Sequence, residues 1–186
     1  GKPHAPVGKL RSSSALLEGD RVLVMSERKP EPEVDFNYKI LFEDEVLFVI
    51  EKPSNLPVHP AGRYFFNTLL THLRTSGHTK PLDADHDYYL AHRLDKETSG
   101  ILVLSKTAES CTVLTRQFAE RKTSKRYLAI VHGTPAQTEF TVDAPLRRTR
   151  SSPINVQMEV APDCSEAEGG QASLTDFKVL RTLGKF

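Results

Sequence analysis

His92-Arg93-Leu94-Asp95-Lys96-Glu97-Thr98-Ser99-Gly100-Ile101-Leu102-Val103-Leu104-Ser105-Lys106 places a charged, glycine-ended segment directly before a continuous apolar run. Ile101 to Ser105 reads as a strand, because branched residues suit a pleated, half-buried surface. Tyr89 to Leu94 reads as a second strand, with the charged segment forming the loop between the two. In extended backbone, side chains two apart share a face. Arg93 and Asp95 are therefore expected on one surface, with His92 and Leu94 on the other. A guanidinium and a carboxylate then meet, either as a simple ion pair or as reactive groups.

Upstream, Ile40-Leu41-Phe42 and Val46 to Ile50 predict two strands joined by the acidic turn Glu43-Asp44-Glu45. Pro53, Pro57 and Pro60 then break the chain into a loop. Asn67 is expected to cap a short helix over Thr68 to Arg74, its side-chain oxygen accepting from an early amide. Thr75 to Asp87, polar and carrying Gly77 and Pro81, reads as a surface loop. Downstream, Thr107 is expected to cap a helix running to about Arg121, with Cys111, Leu114 and Phe118 on its buried face. Further strands are expected at Tyr127 to Val131, Phe140 to Val142, Gln157 to Val160 and Ala172 to Leu180, with a turn at His132-Gly133-Thr134-Pro135. Many strands with few helices predict an α+β fold built on a mixed, mainly antiparallel sheet. The alternating prolines and charges of Glu27 to Glu33 predict an extended linker. The expected organisation is an amino-terminal module with its linker over residues 1–32 and a main domain over 33–186.

The 186 residues carry a net charge of only +1, but the charges are segregated. Arg116 to Arg150 holds eight bases (Arg116, Arg121, Lys122, Lys125, Arg126, Arg147, Arg148 and Arg150) against three acids, whereas Ser151 to Asp176 has five acids and no base. A local basic surface of this kind suits phosphate even on a nearly neutral chain. The apolar runs are too short to span a membrane, and the first residues lack an apolar leader core. Cys111 and Cys164 have no spacing suited to zinc, and a reduced, cytoplasmic setting is expected.

The segment from His92 to Lys106 closely resembles the catalytic motif of the RluA-type family of RNA pseudouridine synthases. Val49 to Pro60, with Lys52-Pro53, resembles that family's Lys-Pro loop, Lys125-Arg126-Tyr127-Leu128-Ala129 its Lys-x-Tyr-x-Ala strand, and Ala144-Pro145-Leu146-Arg147 its later Pro-Leu segment. Four ordered matches cover about Tyr38 to Phe177. The resemblance implies isomerisation of uridine to pseudouridine in ribosomal or transfer RNA. The bond from N1 to the ribose breaks, the base turns and rejoins through C5, and no cofactor or metal is needed. It implies Asp95 as nucleophile, Tyr127 as the residue that packs on the flipped base and handles its proton, and Arg93 as the group filling the vacated stack. His59 at the cleft mouth, with Lys125 and Arg126, is expected to bind RNA, while His92 is expected to be structural. Thr98, Ser99 and Gly100 are expected to shape the turn, Gly100 by close packing or positive φ.

A serine-hydrolase role for Ser99 lacks the glycine spacing of a nucleophile elbow. Asp95 and Glu97, two apart on one segment, are poorly placed to flank a glycosidic bond from opposite sides. The alternative from another class is a catalytically silent RNA-binding protein that keeps the fold. Leu16-Leu17-Glu18-Gly19-Asp20 with Val22 to Val24 resembles the second half of an S4-type RNA-binding module. The resembled family also continues into a Gly-Arg-x-His-Gln-Ile-Arg-like motif whose arginine pairs with the aspartate. That motif is absent before Phe186, so a carboxy-terminally incomplete domain is expected, either an internal fragment of a longer enzyme or a truncated protein.

Overall fold

A computed structural model describes residues 30–75, 88–149, 157–161 and 170–184. The S4-like segment, most of the Thr75 to Asp87 loop, Arg150, Cys164 and the acids Asp163, Glu166 and Glu168 lie outside the described residues. The chain divides into two compact units, the break falling between Lys125 and Arg126.

The first unit is built on an antiparallel sheet of order β1-β2-β4-β3, formed by β1 (Lys39–Glu43), β2 (Leu47–Lys52), β3 (Tyr89–Leu90) and β4 (Gly100–Ser105). The acidic turn joins β1 to β2 as expected. Asp44 holds it, its Oδ1 accepting from the N–H groups of Val46 and Leu47 at 2.8 and 2.6 Å. Register sets Phe48 opposite Leu104, Ile50 opposite Leu102 and Lys52 opposite Gly100. The two-residue period then buries Phe48, Ile50, Leu102 and Leu104 on one face, where Leu69, Leu70 and Leu73 of α1 (Leu69–Thr75) join them with Leu56, Val58 and Leu94.

Three local expectations are corrected. The strand expected over Tyr89 to Leu94 stops at Leu90, because the His92 side chain takes the N–H of Val103 that a longer β3 would have paired. Thr68, not Asn67, caps α1, its hydroxyl accepting from Thr71 N–H at 3.4 Å. The Asn67 side chain instead donates to Pro32 O at 2.8 Å. The helix expected after Thr107 is present as α2 (Ala108–Ala119), and Thr107 caps it by accepting from Ser110 N–H. Its Cys111, Leu114 and Phe118 stripe is only half-buried.

The second unit contains two antiparallel ribbons. β5 (Glu139–Asp143) pairs with β8 (Leu174–Lys178), and β6 (Leu146–Arg148) with β7 (Met158–Val160). Phe140 and Phe177 stack across the first at 5.0 Å, and Arg147 pairs with Glu159 across the second at 2.8 Å. The strand expected over Tyr127 to Val131 does not form: these residues join no ladder, and Leu128 and Ile130 are over four-fifths exposed. Branched residues favour a strand only where a neighbour completes the pairing. The α+β class stands, with two helices and wholly antiparallel pairing among the described residues. No helix among them is long and apolar enough to cross a membrane.

Candidate active site

The segment from His92 to Gly100 leaves the sheet and returns to it as a short turn. Thr98 N–H donates to Asp95 O at 3.1 Å, and Gly100 re-enters β4 with φ of 131°. A Cβ at Gly100 would meet nothing within 4 Å, so the glycine serves the positive φ and not close packing. Leu94 is buried in the core while its neighbours Arg93 and Asp95 stand in solvent. Arg93 Nη2 lies 3.7 Å from Asp95 Oδ1, with both side chains about two-thirds or more exposed. The two therefore share a face, as their spacing predicts, and an exposed pair of this length is loose enough for either group to engage a ligand.

His92 turns inward. Its Nε2 accepts from Val103 N–H at 3.0 Å, and its ring stacks on Phe118 of α2 at 4.5 Å. The accepting nitrogen must be unprotonated, and burial, aided by the charge of Lys125, lowers the pKa below its usual value. This is the structural histidine the alternation implied.

The burial of Lys52 is the feature the sequence did not disclose. It continues the buried face begun by Phe48 and Ile50, so its side chain enters the sheet's apolar side and is fully buried. There Nζ donates to the carbonyls of Pro53 and Leu56, each at 2.9 Å, and of Lys96 at 3.2 Å. Lys96 O also accepts from Leu56 N–H at 3.1 Å. One ammonium thus ties the Lys-Pro loop to the residue following Asp95. Burial pushes its pKa down to about 8, against the carboxylates of Glu97 and Asp95, which pull it up. The sequence offered the Lys-Pro match and a lysine in phase with two core residues, and neither revealed this tether.

Lys96 reaches outward to Asn55 Oδ1 at 3.2 Å and Glu97 at 3.0 Å. The hydrogen bond between Lys96 and Glu97 raises the lysine pKa and lowers that of the carboxyl. His59 is half-buried in the loop after β2, beside the buried Val58. Lys125 is exposed at the end of the first unit, whereas Arg126 and the two-thirds exposed Tyr127 belong to the second. Arg93 and Asp95 are brought together, and Lys125 sits near enough to His92 to act on its charge. Among the described residues, no three His, Cys, Asp or Glu side chains gather as a metal site requires.

The sequence profile of a family described as RNA pseudouridylate synthase matches residues 46–185. The chain is 35% identical over 137 residues to the mitochondrial tRNA pseudouridine(32) synthase of Saccharomyces cerevisiae, covering 73% of this chain and 28% of that one. It is 36% identical over 151 residues to the ribosomal large subunit pseudouridine synthase D of Zymomonas mobilis, covering 80% and 45%. Its fold resembles that of human RNA pseudouridylate synthase domain containing 4, with a TM-score of 0.55 and 29% identity over 77% of this chain and 54% of that one. The chain thus spans about half or less of the length of these relatives.

Proposed function

The chain belongs to the RNA pseudouridylate synthase family, and from that premise we propose that it isomerises uridine to pseudouridine in structured RNA with Asp95 as the nucleophile. The observation that carries this reading is the presentation of Asp95. It is solvent-exposed, 3.7 Å from Arg93, and set on a turn fixed from below by buried Leu94 and by Lys52. A nucleophile that must meet a large substrate needs a fixed backbone and an open side chain.

In the proposed sequence of events the target uridine leaves its stack and Arg93 fills the gap with its planar guanidinium. The bond between N1 and C1′ breaks, C5 bonds to C1′, C5 gives up its proton and N1 gains one. The base therefore keeps its atoms and electrons, and no redox partner is required. Tyr127 is assigned to the flipped base, and His59, Lys125 and Arg126 to the RNA around it, all by their place in the family's motifs. The names of the relatives support ribosomal or transfer RNA as the substrate class. A cytoplasmic setting, an S4-like piece over residues 1–32 and a catalytic domain from residue 33 complete the proposal.

Pseudouridine mapping on RNA incubated with the full chain and with its Asp95→Asn variant tests it. Sites made by the parent are expected to vanish with the substitution, a loss of at least about a thousandfold by analogy with removal of other covalent nucleophiles. RNA bound by the parent without any pseudouridine would leave the silent RNA-binding protein as the correct reading.

A further inference from the structure

Beside the Asp95 turn lies a second loop whose chemistry the nucleophile does not use. Arg63-Tyr64-Phe65-Phe66 sets one guanidinium and three aromatic rings in consecutive positions. Ala61 and Tyr64 exchange both backbone hydrogen bonds at 3.0 Å, and Gly62, at φ 57°, permits the tight reversal. The Glu31 carboxylate then accepts from the N–H groups of Phe65, Phe66 and Asn67 at 2.8–3.0 Å. The backbone is pinned at both ends.

What this pinned loop displays is apolar. Phe65 and Phe66 meet edge to face at 5.0 Å yet remain 49% and 61% exposed. Rings kept in water by a fixed backbone mark a contact surface. Cations accompany them: Arg63 Cζ and Lys96 Nζ lie 6.0 and 5.6 Å from the centre of the Tyr64 ring. Lys96 immediately follows Asp95 and is shared with Glu97, which leaves exposed Arg63 as the freer charge. Aromatic faces with interleaved cations recognise unpaired, phosphate-linked bases. When a target nucleotide is drawn out, its neighbours also lose stacking and need a new surface beside the reactive carboxylate.

We infer that Phe65 and Phe66 form a stacking ledge for an unpaired base flanking the target uridine, with Arg63 and Lys96 taking the adjoining phosphates. This inference rests on Asp95 being the reactive group. The 186 residues contain no tryptophan, so Phe66→Trp adds a reporter at the ledge without removing its aromatic face. Titration of the full chain with a ten-residue oligouridylate is expected to quench the emission that this variant gains over the parent.

Phe66→Ala is expected to weaken binding of the same oligonucleotide, measured by anisotropy, about 5- to 100-fold. Its thermal midpoint should stay near the parent's, since the ring lies at the surface. Arg63→Ala is expected to lower the slope of log affinity against log salt by about one. Unchanged Phe66→Trp emission at saturating oligouridylate, or Phe66→Ala binding like the parent, overturns the ledge and leaves a protein partner as the occupant of this face. An Asp95→Asn protein that still makes pseudouridine sinks the nucleophile assignment by itself, whereas quenching in the Asp95→Asn/Phe66→Trp double variant upholds the ledge.

Discussion

Lys52 and Asp95 divide the demands on the site: one is buried and shapes the backbone, the other is exposed and faces the substrate. The three carbonyls that receive the Lys52 ammonium belong to two loops, and Lys96 O at 3.2 Å is the longest contact. Replacing Lys52 with Met leaves all three acceptors without that donor in an apolar setting. Lys52→Met is expected to destabilise the protein by about 2–4 kcal/mol, measured by urea unfolding. Pseudouridine yield per folded molecule should fall as well, and a yield equal to the parent's would show that the tether does not position Asp95. Arginine is not expected to substitute, because its fork is larger than the sealed space left by a fully buried lysine. The pairing of Arg93 with Asp95 was legible from their spacing alone, since two residues apart in extended chain is a geometric statement. The role of Lys52 was not, because lysine is read as a surface residue unless its neighbours reveal the phase of the strand.

The same contrast runs through the elements. β2 and β4 were legible because their apolar residues alternate or cluster between clear turn signals, and α2 because Thr107 caps a periodic stripe. The end of β3 was not, because a side chain, and no backbone propensity, decides it: His92 claims the N–H of Val103. Tyr127 to Val131 carries strong strand propensity, and propensity says nothing of whether a neighbouring strand is at hand. The strand-ending bond also carries a pH dependence. His92 has a folded pKa below its unfolded value, so the unfolded chain takes up a proton first as pH falls. Its stabilising contribution is complete above about pH 6.5 and is lost as pH falls through the lowered folded pKa. Thermal midpoints measured from pH 7.5 down to 5 are expected to fall, and His92→Gln, which keeps an acceptor without the titration, should flatten that fall. Equal slopes for the two proteins would remove His92 as the cause.

At the scale of the molecule, apolar burial is unevenly shared. The hydrophobic cluster built by β2, β4, α1 and Leu94 lies wholly in the first unit, whereas β5 and β8 are largely exposed. Leu102→Ala is expected to cost about 2–5 kcal/mol, the range for truncating a fully buried leucine. Hydrogen exchange should be slowest at the amides of β2 and β4 and faster throughout β5 and β8. Equal protection in both units would contradict a stability concentrated in the first. The alternation around Leu94 joins this stability to the chemistry. Its side chain belongs to the cluster while its backbone carries Arg93 on one side and Asp95 on the other. A lesion at Leu94 would therefore be counted as an enzymatic defect by any screen that scores modified RNA alone. Only an independent measure of how much intact protein accumulates could tell inherited misplacement of the reactive pair from loss of the pair itself.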